Sequence, residues 1–260
     1  IRDILECGQV FSYKDMGDCY LVFSADKKAK VTETNLGYII KTNCPKYFEN
    51  YFDLKTDYGK IKATLSKFPI LKKPIEFGKG IRILKQDLFE TLISFIVSAN
   101  NNIKRITLIL NRLRENLGKD MGGYYAFPTR ESMLKKDVNF YKEIGAGYRA
   151  EYLYKVVRQI DDNTLEEWKS LDTKTLRNKL ISLAGVGPKV ADCVLLFAYS
   201  RQDVFPVDTW IEQMYMKFYG KNEEKVLSRE KIREFLVQEF EDLAGYAQQY
   251  LFYSMRSKEV

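Results

Sequence analysis

The 260-residue sequence contains no histidine. The commonest general base, triad member and zinc ligand is therefore missing, and any nucleophile, proton carrier or metal ligand must be Lys, Asp, Glu, Cys, Tyr or Ser. Cysteine is sparse: Cys7, Cys19, Cys44 and Cys193 stand apart with no CxxC spacing. That argues against a disulfide framework and a structural zinc site, and points to a reducing compartment. No stretch of ~18 uncharged apolar residues is present, nor an apolar leader with a small-residue cleavage site, so neither a membrane span nor a signal peptide is expected. The expected location is intracellular, in the cytoplasm or nucleoid if the source is prokaryotic. Acidic charge is also in deficit, with 42 Lys and Arg against 35 Asp and Glu, a formal charge of +7 and a pI near 9.0. Such a balance favours polyanionic partners.

Hydrophobic residues make up 45% of the chain and aromatics 14%, enough for a sizeable core. The apolar period changes along the chain. From Gly8 to about Thr42, short alternating runs (VFSY, YLVFSA, AKVTET, GYIIKT) are separated by Gly, Asp, Asn and Lys pairs, the pattern of antiparallel strands and hairpins. KYFENYFDL and YGKIKATLSKF then read as amphipathic helices, and IEFGKGIRIL as a Gly-broken connector. Beyond residue 80 the period is helical in DLFETLISFIVS, IKRITLILNRLRENLG, TRESMLKK, GYRAEYLYKVVRQI, LEEWKSL, TKTLRNKLISL, KVADCVLLFAYS, TWIEQMYMKFYG, SREKIREFLVQEF and AGYAQQYLFYSM. The expected fold is α+β: an N-terminal antiparallel β-sheet domain with flanking helices over residues 1–80, followed by a larger all-α domain over 81–260.

Within the helical part, LAGVGPKVADC is the most informative stretch. Gly185 and Gly187 flank Val186 between two helices, in a helix–hairpin–helix covering about 174–199. Glycines permit a left-handed turn and leave backbone amides uncovered, so the hairpin suits a phosphate as well as a plain interhelical turn. Lys189 follows in the first helical turn, where the positive end of the dipole disfavours an ammonium by a few tenths to about 1 kcal/mol. The helix is apolar almost all round and reads as buried, and a buried lysine there is pushed toward the neutral, nucleophilic amine. The alternative is an i,i+3 ion pair with Asp192. Further on, Asp208 in PVDTW caps the helix starting at Thr209, or stands near Lys189 to stabilise a cationic sugar and move protons.

These residues resemble a known family. LAGVGPKVADC followed by PVDTW is similar to the helix–hairpin–helix, Gly/Pro…Asp motif of base-excision DNA glycosylases, in the subgroup with a catalytic lysine. CGQVF, ISFIVSANNNIKRIT, IGAGYRAEY and AGYAQQYLF resemble 8-oxoguanine DNA glycosylases, in the family's order and over nearly the whole chain. The resemblance implies a bifunctional glycosylase and AP lyase that flips 8-oxoguanine, opposite cytosine, out of double-stranded DNA. Lys189 would attack C1′ and form a Schiff base, β-elimination would nick the strand, and Asp208 would stabilise charge on the sugar. Gly8 would offer its carbonyl to the N7–H that guanine lacks. Cys193 and Phe252 would sandwich the base, and Gln248 would bond its Watson–Crick edge. Asn100, Arg105, Tyr148 and Arg149 would fill the emptied stack and read the orphaned cytosine, and the amides at Gly185 and Gly187 would hold a phosphate.

Taken singly, each of these has an ordinary alternative: a turn glycine, core residues at Cys193 and Phe252, a solvated helix position at Gln248, surface charges at Arg105 and Arg149. Two positions depart from the family pattern. Trp210 stands where a phosphate-contacting histidine commonly follows the PVD motif, and Pro188 removes one N–H from the hairpin. The iron–sulfur glycosylases of the superfamily carry four C-terminal cysteines, whereas the 67 residues after Cys193 contain none. No cofactor is expected, apart from a cation on the hairpin's backbone carbonyls, and the chain is expected to act as a monomer. The competing readings are a non-catalytic hairpin that only binds DNA and a glycosylase for another oxidised base.

Overall fold

In the computed structural model, described for residues 1–161, 163–220 and 227–258, the chain forms an N-terminal sheet and a larger helical body. After a short helix α1 (Arg2–Leu5), strands β1 (Tyr13–Asp15), β2 (Tyr20–Ser24), β3 (Lys27–Thr34) and β4 (Gly37–Thr42) form one antiparallel sheet in chain order. In β3 the side chains alternate, Ala29 and Val31 inward and Lys28 and Lys30 outward, as a half-buried strand requires. The inward face packs on Leu5 and on Phe48, Tyr51 and Phe52, from and just after α2 (Pro45–Tyr51).

The first strand starts later than the alternation of VFSY suggests. Phe11 enters the helical core, where it meets Phe95 edge to face at 5.7 Å, and Ser12 donates to Glu90 at 2.5 Å. Residues 10–12 thus cross from one core to the other, and pairing begins only at Tyr13.

Two helices, α3 (Tyr58–Leu65) and α4 (Lys72–Phe77), lead into α5 (Leu88–Ser98), α6 (Ile103–Leu117), α7 (Arg130–Leu134), α8 (Val138–Glu143) and α9 (Arg149–Gln159). Then come α10 (Thr164–Glu167), α11 (Thr173–Ile181), α12 (Pro188–Phe197), α13 (Thr209–Phe218), α14 (Arg229–Phe240) and α15 (Ala244–Arg256). Apolar packing divides the chain differently from the boundary expected near residue 80. Tyr58, Leu65, Leu71, Ile75, Ile81 and Ile83 belong to the helical core, while Leu84 packs with the sheet.

The two cores are joined by a buried polar knot. Glu90 on α5 accepts from Ser12 Oγ and from Arg114 on α6, both at 2.5 Å, and from the Ala25 amide at 2.7 Å. Each of these three partners is a donor, which is the condition under which a buried carboxylate is tolerated. The knot fixes α5, the helix that carries Phe95 and leads into the turn at Ala99 and Asn100.

Candidate active site and nucleic-acid interface

The hairpin lies between α11 and α12. Gly185 has φ +80° and packs so closely on Tyr152 that an added Cβ would lie 2.6 Å from the tyrosine Cβ, so conformation and contact both require glycine there. Gly187 is different: it is exposed, has φ −85°, and an added Cβ would meet nothing within 4 Å. The protein's own packing does not demand a glycine at 187. No side chain caps α12, so its first-turn amides after Pro188 face outward, available to an anion.

Lys189 is half-buried rather than buried, because only the helix beyond it, from Val190 to Phe197, is enclosed. Its Nζ lies 5.3 Å from the centre of the Phe95 ring. The alternative partner is taken elsewhere. Asp192 accepts from Arg177 on α11 at 2.7 Å and forms a second ion pair with Arg233 on α14 at 3.1 Å, without hydrogen-bond alignment of that nitrogen. No carboxylate among the described residues lies within ion-pair distance of Lys189. Asp208 is the cap that the sequence suggests, accepting from the amides of Trp210 at 3.0 Å and Ile211 at 3.1 Å. The indole of Trp210 is half-buried.

Lys189 and Asp208 line one small pocket together with Gly8, Cys193, Gln248 and Phe252, and with Phe95, Phe197, Pro206 and Gln249. Its contents come from the N-terminal loop, α5, the two ends of the hairpin–Asp loop segment, and α15. Gln248, which sequence leaves open as a solvated position, is only 4% exposed. Its amide donates weakly to Pro206 O at 3.4 Å, and its Oε1 is a buried acceptor with no partner. Such an atom costs about 1–3 kcal/mol unless a ligand supplies a donor. The Cys193 thiol is pushed up to about 11 by burial, with Lys189 beside it working in the opposite direction. It stays a neutral, polarisable wall near pH 7.

Gly8 has φ +87° and sits under the Phe252 ring, an added Cβ lying 2.8 Å from Phe252 Cε1. The carbonyls on either side are occupied: Gln249 donates to Cys7 O at 2.8 Å and Gln86 to Gln9 O at 2.7 Å. The Gly8 carbonyl is the one of the three without a partner among the described residues. The free volume is about 20 Å³, room for a water but not a base. Phe252 is the half-buried member of this contact, so its movement is the natural way to open the pocket.

The other expected group lies around two helix starts, the α5–α6 turn with the first turn of α6, and the start of α9. Asn100 is exposed at φ +48°, Arg105 is exposed and donates to Gly145 O at 3.1 Å, and Tyr148 is 55% exposed. Arg149 is the exception. It is 3% exposed, and its guanidinium donates to the carbonyls of Ala99 and Asn100, the second at 2.6 Å, with a long contact to Ala146 at 3.5 Å. It also stacks on Tyr148, 4.4 Å from the ring centre. Arg149 therefore holds the α5–α6 turn to the α9 start, while Tyr148 projects. Tyr148 meets Tyr152 edge to face at 5.9 Å, and Tyr152 covers Gly185, so the projecting tyrosine and the hairpin share one surface.

Phe95, Pro206 and Gln249 are pocket residues that sequence reading missed. Phe95 and Pro206 are hidden among apolar neighbours, and Gln249 carries a weak signal as the second glutamine of AQQYLF. A larger cavity of about 690 Å³, lined by Phe89, Leu117, Phe127 and Ile160, holds none of the expected residues.

Comparison with known proteins identifies the family. Residues 1–92 match the family model described as 8-oxoguanine DNA glycosylase, N-terminal domain, and residues 93–241 match that of the HhH-GPD superfamily base excision DNA repair protein. The crystal structure of a Clostridium acetobutylicum 8-oxoguanine glycosylase/lyase, in complex with double-stranded DNA containing cytosine opposite to 8-oxoG, superposes with a TM-score of 0.93 at 38% identity, covering 100% of this chain and 92% of that one. The N-glycosylase/DNA lyase of Saccharomyces cerevisiae is 34% identical over 85% of this chain and 67% of its own length. A probable N-glycosylase/DNA lyase of Methanothermobacter thermautotrophicus is 30% identical over 78% and 72%. On these matches the chain belongs to the 8-oxoguanine DNA glycosylases of the HhH-GPD superfamily.

Proposed function

We propose that the protein is a bifunctional N-glycosylase and AP lyase that removes 8-oxoguanine, opposite cytosine, from double-stranded DNA. The observation that carries this is the meeting of Lys189 and Asp208 in one pocket with an unpaired carbonyl at Gly8 and an unpaired amide oxygen on Gln248. A DNA-binding module would need the hairpin but not such a pocket.

In this scheme the base leaves C1′ as Lys189 Nζ bonds to that carbon, the base taking the bonding electrons and a proton. Opening of the sugar gives the Schiff base. Loss of a proton from C2′ then expels the 3′ phosphate and nicks the strand, and water releases the lysine. Asp208 offsets the positive charge that develops on the sugar and assists the proton transfers, held in place by the two amides it caps. The Gly8 carbonyl accepts N7–H, Gln248 bonds the Watson–Crick edge, and Phe252 and Cys193 cover the two faces of the base. The outward amides at Gly187 and the α12 start take a phosphate, and Gly185 shapes their turn.

Tyr148 fills the gap in the stack, with Asn100 and Arg105 beside the orphaned cytosine. Arg149 can join them only by sharing or leaving the carbonyls it now holds, and its positioning of the 99–100 turn is the better-supported part of its role. No cofactor enters the scheme. No group of three or more Cys, Asp or Glu among the described residues could hold a metal, so a cation at the hairpin would rest on backbone carbonyls. No helix among the described residues is long and apolar enough to cross a membrane. A single chain per lesion, in the compartment that holds the DNA, is all the scheme requires.

The test is product analysis on duplexes carrying one 8-oxoguanine opposite each of the four bases. Free 8-oxoguanine together with a nicked strand, fastest opposite cytosine, is expected. Tight binding without either product would leave only the DNA-binding reading.

A further inference from the structure

Helix α15 holds the N-terminal loop along one face. Gln249, Phe252 and Arg256 stand at i, i+3 and i+7, a single stripe of the helix. Gln249 donates to Cys7 O at 2.8 Å, Arg256 Nη2 donates to Glu6 O, and Phe252 lies between them against Gly8. Two consecutive carbonyls of the loop are thereby hung from the helix, directly ahead of the Gly8 carbonyl. Arg256 does more than hold the loop. Its guanidinium carbon is 5.4 Å from the centre of the Phe252 ring and 5.9 Å from that of Tyr253, and a Cβ on Gly8 would lie 2.7 Å from its Nη1. Among the described residues no carboxylate pairs with it, since Glu6 itself is engaged with Arg2 at 2.9 Å. A half-buried cation has therefore been placed where its contacts are a loop carbonyl and an aromatic face. It also lies beyond residue 241, where the family-model match ends.

We propose that Arg256 is a positioning residue for base selection: by fixing the Glu6–Gly8 loop and the Phe252 ring together, it sets the opening of the pocket and the place of the carbonyl that distinguishes 8-oxoguanine from guanine. The proposal rests on the function given above. It acts through Phe252 and the loop, and Arg256 itself does not touch the reacting atoms. Because the free volume beside Gly8 is about 20 Å³, a base enters only as the ring moves, and the guanidinium lying against that ring is what returns it to one place. An acceptor carbonyl that shifts by a fraction of an ångström no longer separates N7–H from a bare N7, so the expected symptom is lost selectivity rather than lost chemistry.

The experiment compares wild type with Arg256→Met and Arg256→Lys on three duplexes: one with 8-oxoguanine opposite cytosine, one with guanine opposite cytosine, and one with an abasic site, in which no base has to enter the pocket. For Arg256→Met, the ratio of kcat/KM for 8-oxoguanine over guanine is expected to fall by about tenfold. Its nicking of the abasic duplex is expected to follow wild type, and its thermal midpoint to fall by no more than about 2–4 °C for the one hydrogen bond lost. Arg256→Lys, which can still donate to Glu6 O but has no planar face to lay on Phe252, is expected to recover part of the ratio. An equal loss on the lesion and abasic duplexes, or an unchanged ratio, overturns the proposal. Wild-type protein inactive on both the lesion and the abasic duplex would overturn the functional reading itself, and this proposal with it.

Discussion

The residues expected to handle the damaged nucleoside come from widely separated segments and converge on one small pocket, whereas those expected at the opposite base come from the α5–α6 turn, the first turn of α6 and the start of α9, where Asn100, Arg105 and Tyr148 are exposed and Arg149 is buried. On the pocket side, function and packing are separable: among the described residues, Gln248 Oε1 and the Gly8 carbonyl have no partner. On the surface side they are not, because Arg149 is both the expected reader and the clamp on Ala99 and Asn100. The contrast implies a pocket whose polar groups are set before DNA arrives and whose Phe252 ring alone must move to admit a base, and an opposite-base surface that must rearrange to use its buried arginine.

Lys189→Gln would sharpen the contrast most. Excision and nicking should fall by at least about 10³-fold, while unfolding stability stays within about 0.5 kcal/mol, because the ammonium has no ion pair to lose. Asp208 allows chemistry and cap to be separated. Asp208→Ala should lose activity and about 1 kcal/mol of stability, whereas Asp208→Asn keeps an acceptor at the cap and should lose activity alone. Phe252→Ala should weaken lesion binding by about 1–3 kcal/mol, read as a raised KM, with the abasic duplex still nicked.

Arg149→Ala tests the surface side. It leaves the Ala99 and Asn100 carbonyls unpaired and should cost about 2–3 kcal/mol in denaturant unfolding, unlike anything expected for the exposed Tyr148→Ala, which should stay within about 0.5 kcal/mol and act only on DNA affinity. A fully stable Arg149→Ala variant that loses only its preference for cytosine would break the contrast and make the two regions alike.

Much of this was legible in the sequence, for local reasons. Long apolar periods marked α5, α6 and α12, and Asp208 followed by Thr209 marked a cap. Helix α8 is not among the expected helices, although Asp137 caps it as Asp208 caps α13. The burial of Lys189 was overestimated, because periodicity describes a whole helix and its first turn opens onto the hairpin. The strand at VFSY was placed too early, because the pull of Phe11 and Ser12 toward α5 and α6 is a tertiary effect. The family resemblance brought out Gly8 and Gln248, which composition alone left as ordinary residues. The contacts of Gln249 and Arg256 with Cys7 and Glu6 join the two ends of the chain, and no local pattern encodes them.

The most direct measurement is borohydride trapping on a duplex with one 8-oxoguanine opposite cytosine, followed by peptide mapping of the covalent product. The account predicts a lesion-dependent adduct on Lys189 that disappears in Lys189→Gln and is absent with undamaged DNA. An adduct mapped to another lysine, or none at all from protein that releases free 8-oxoguanine, would contradict it.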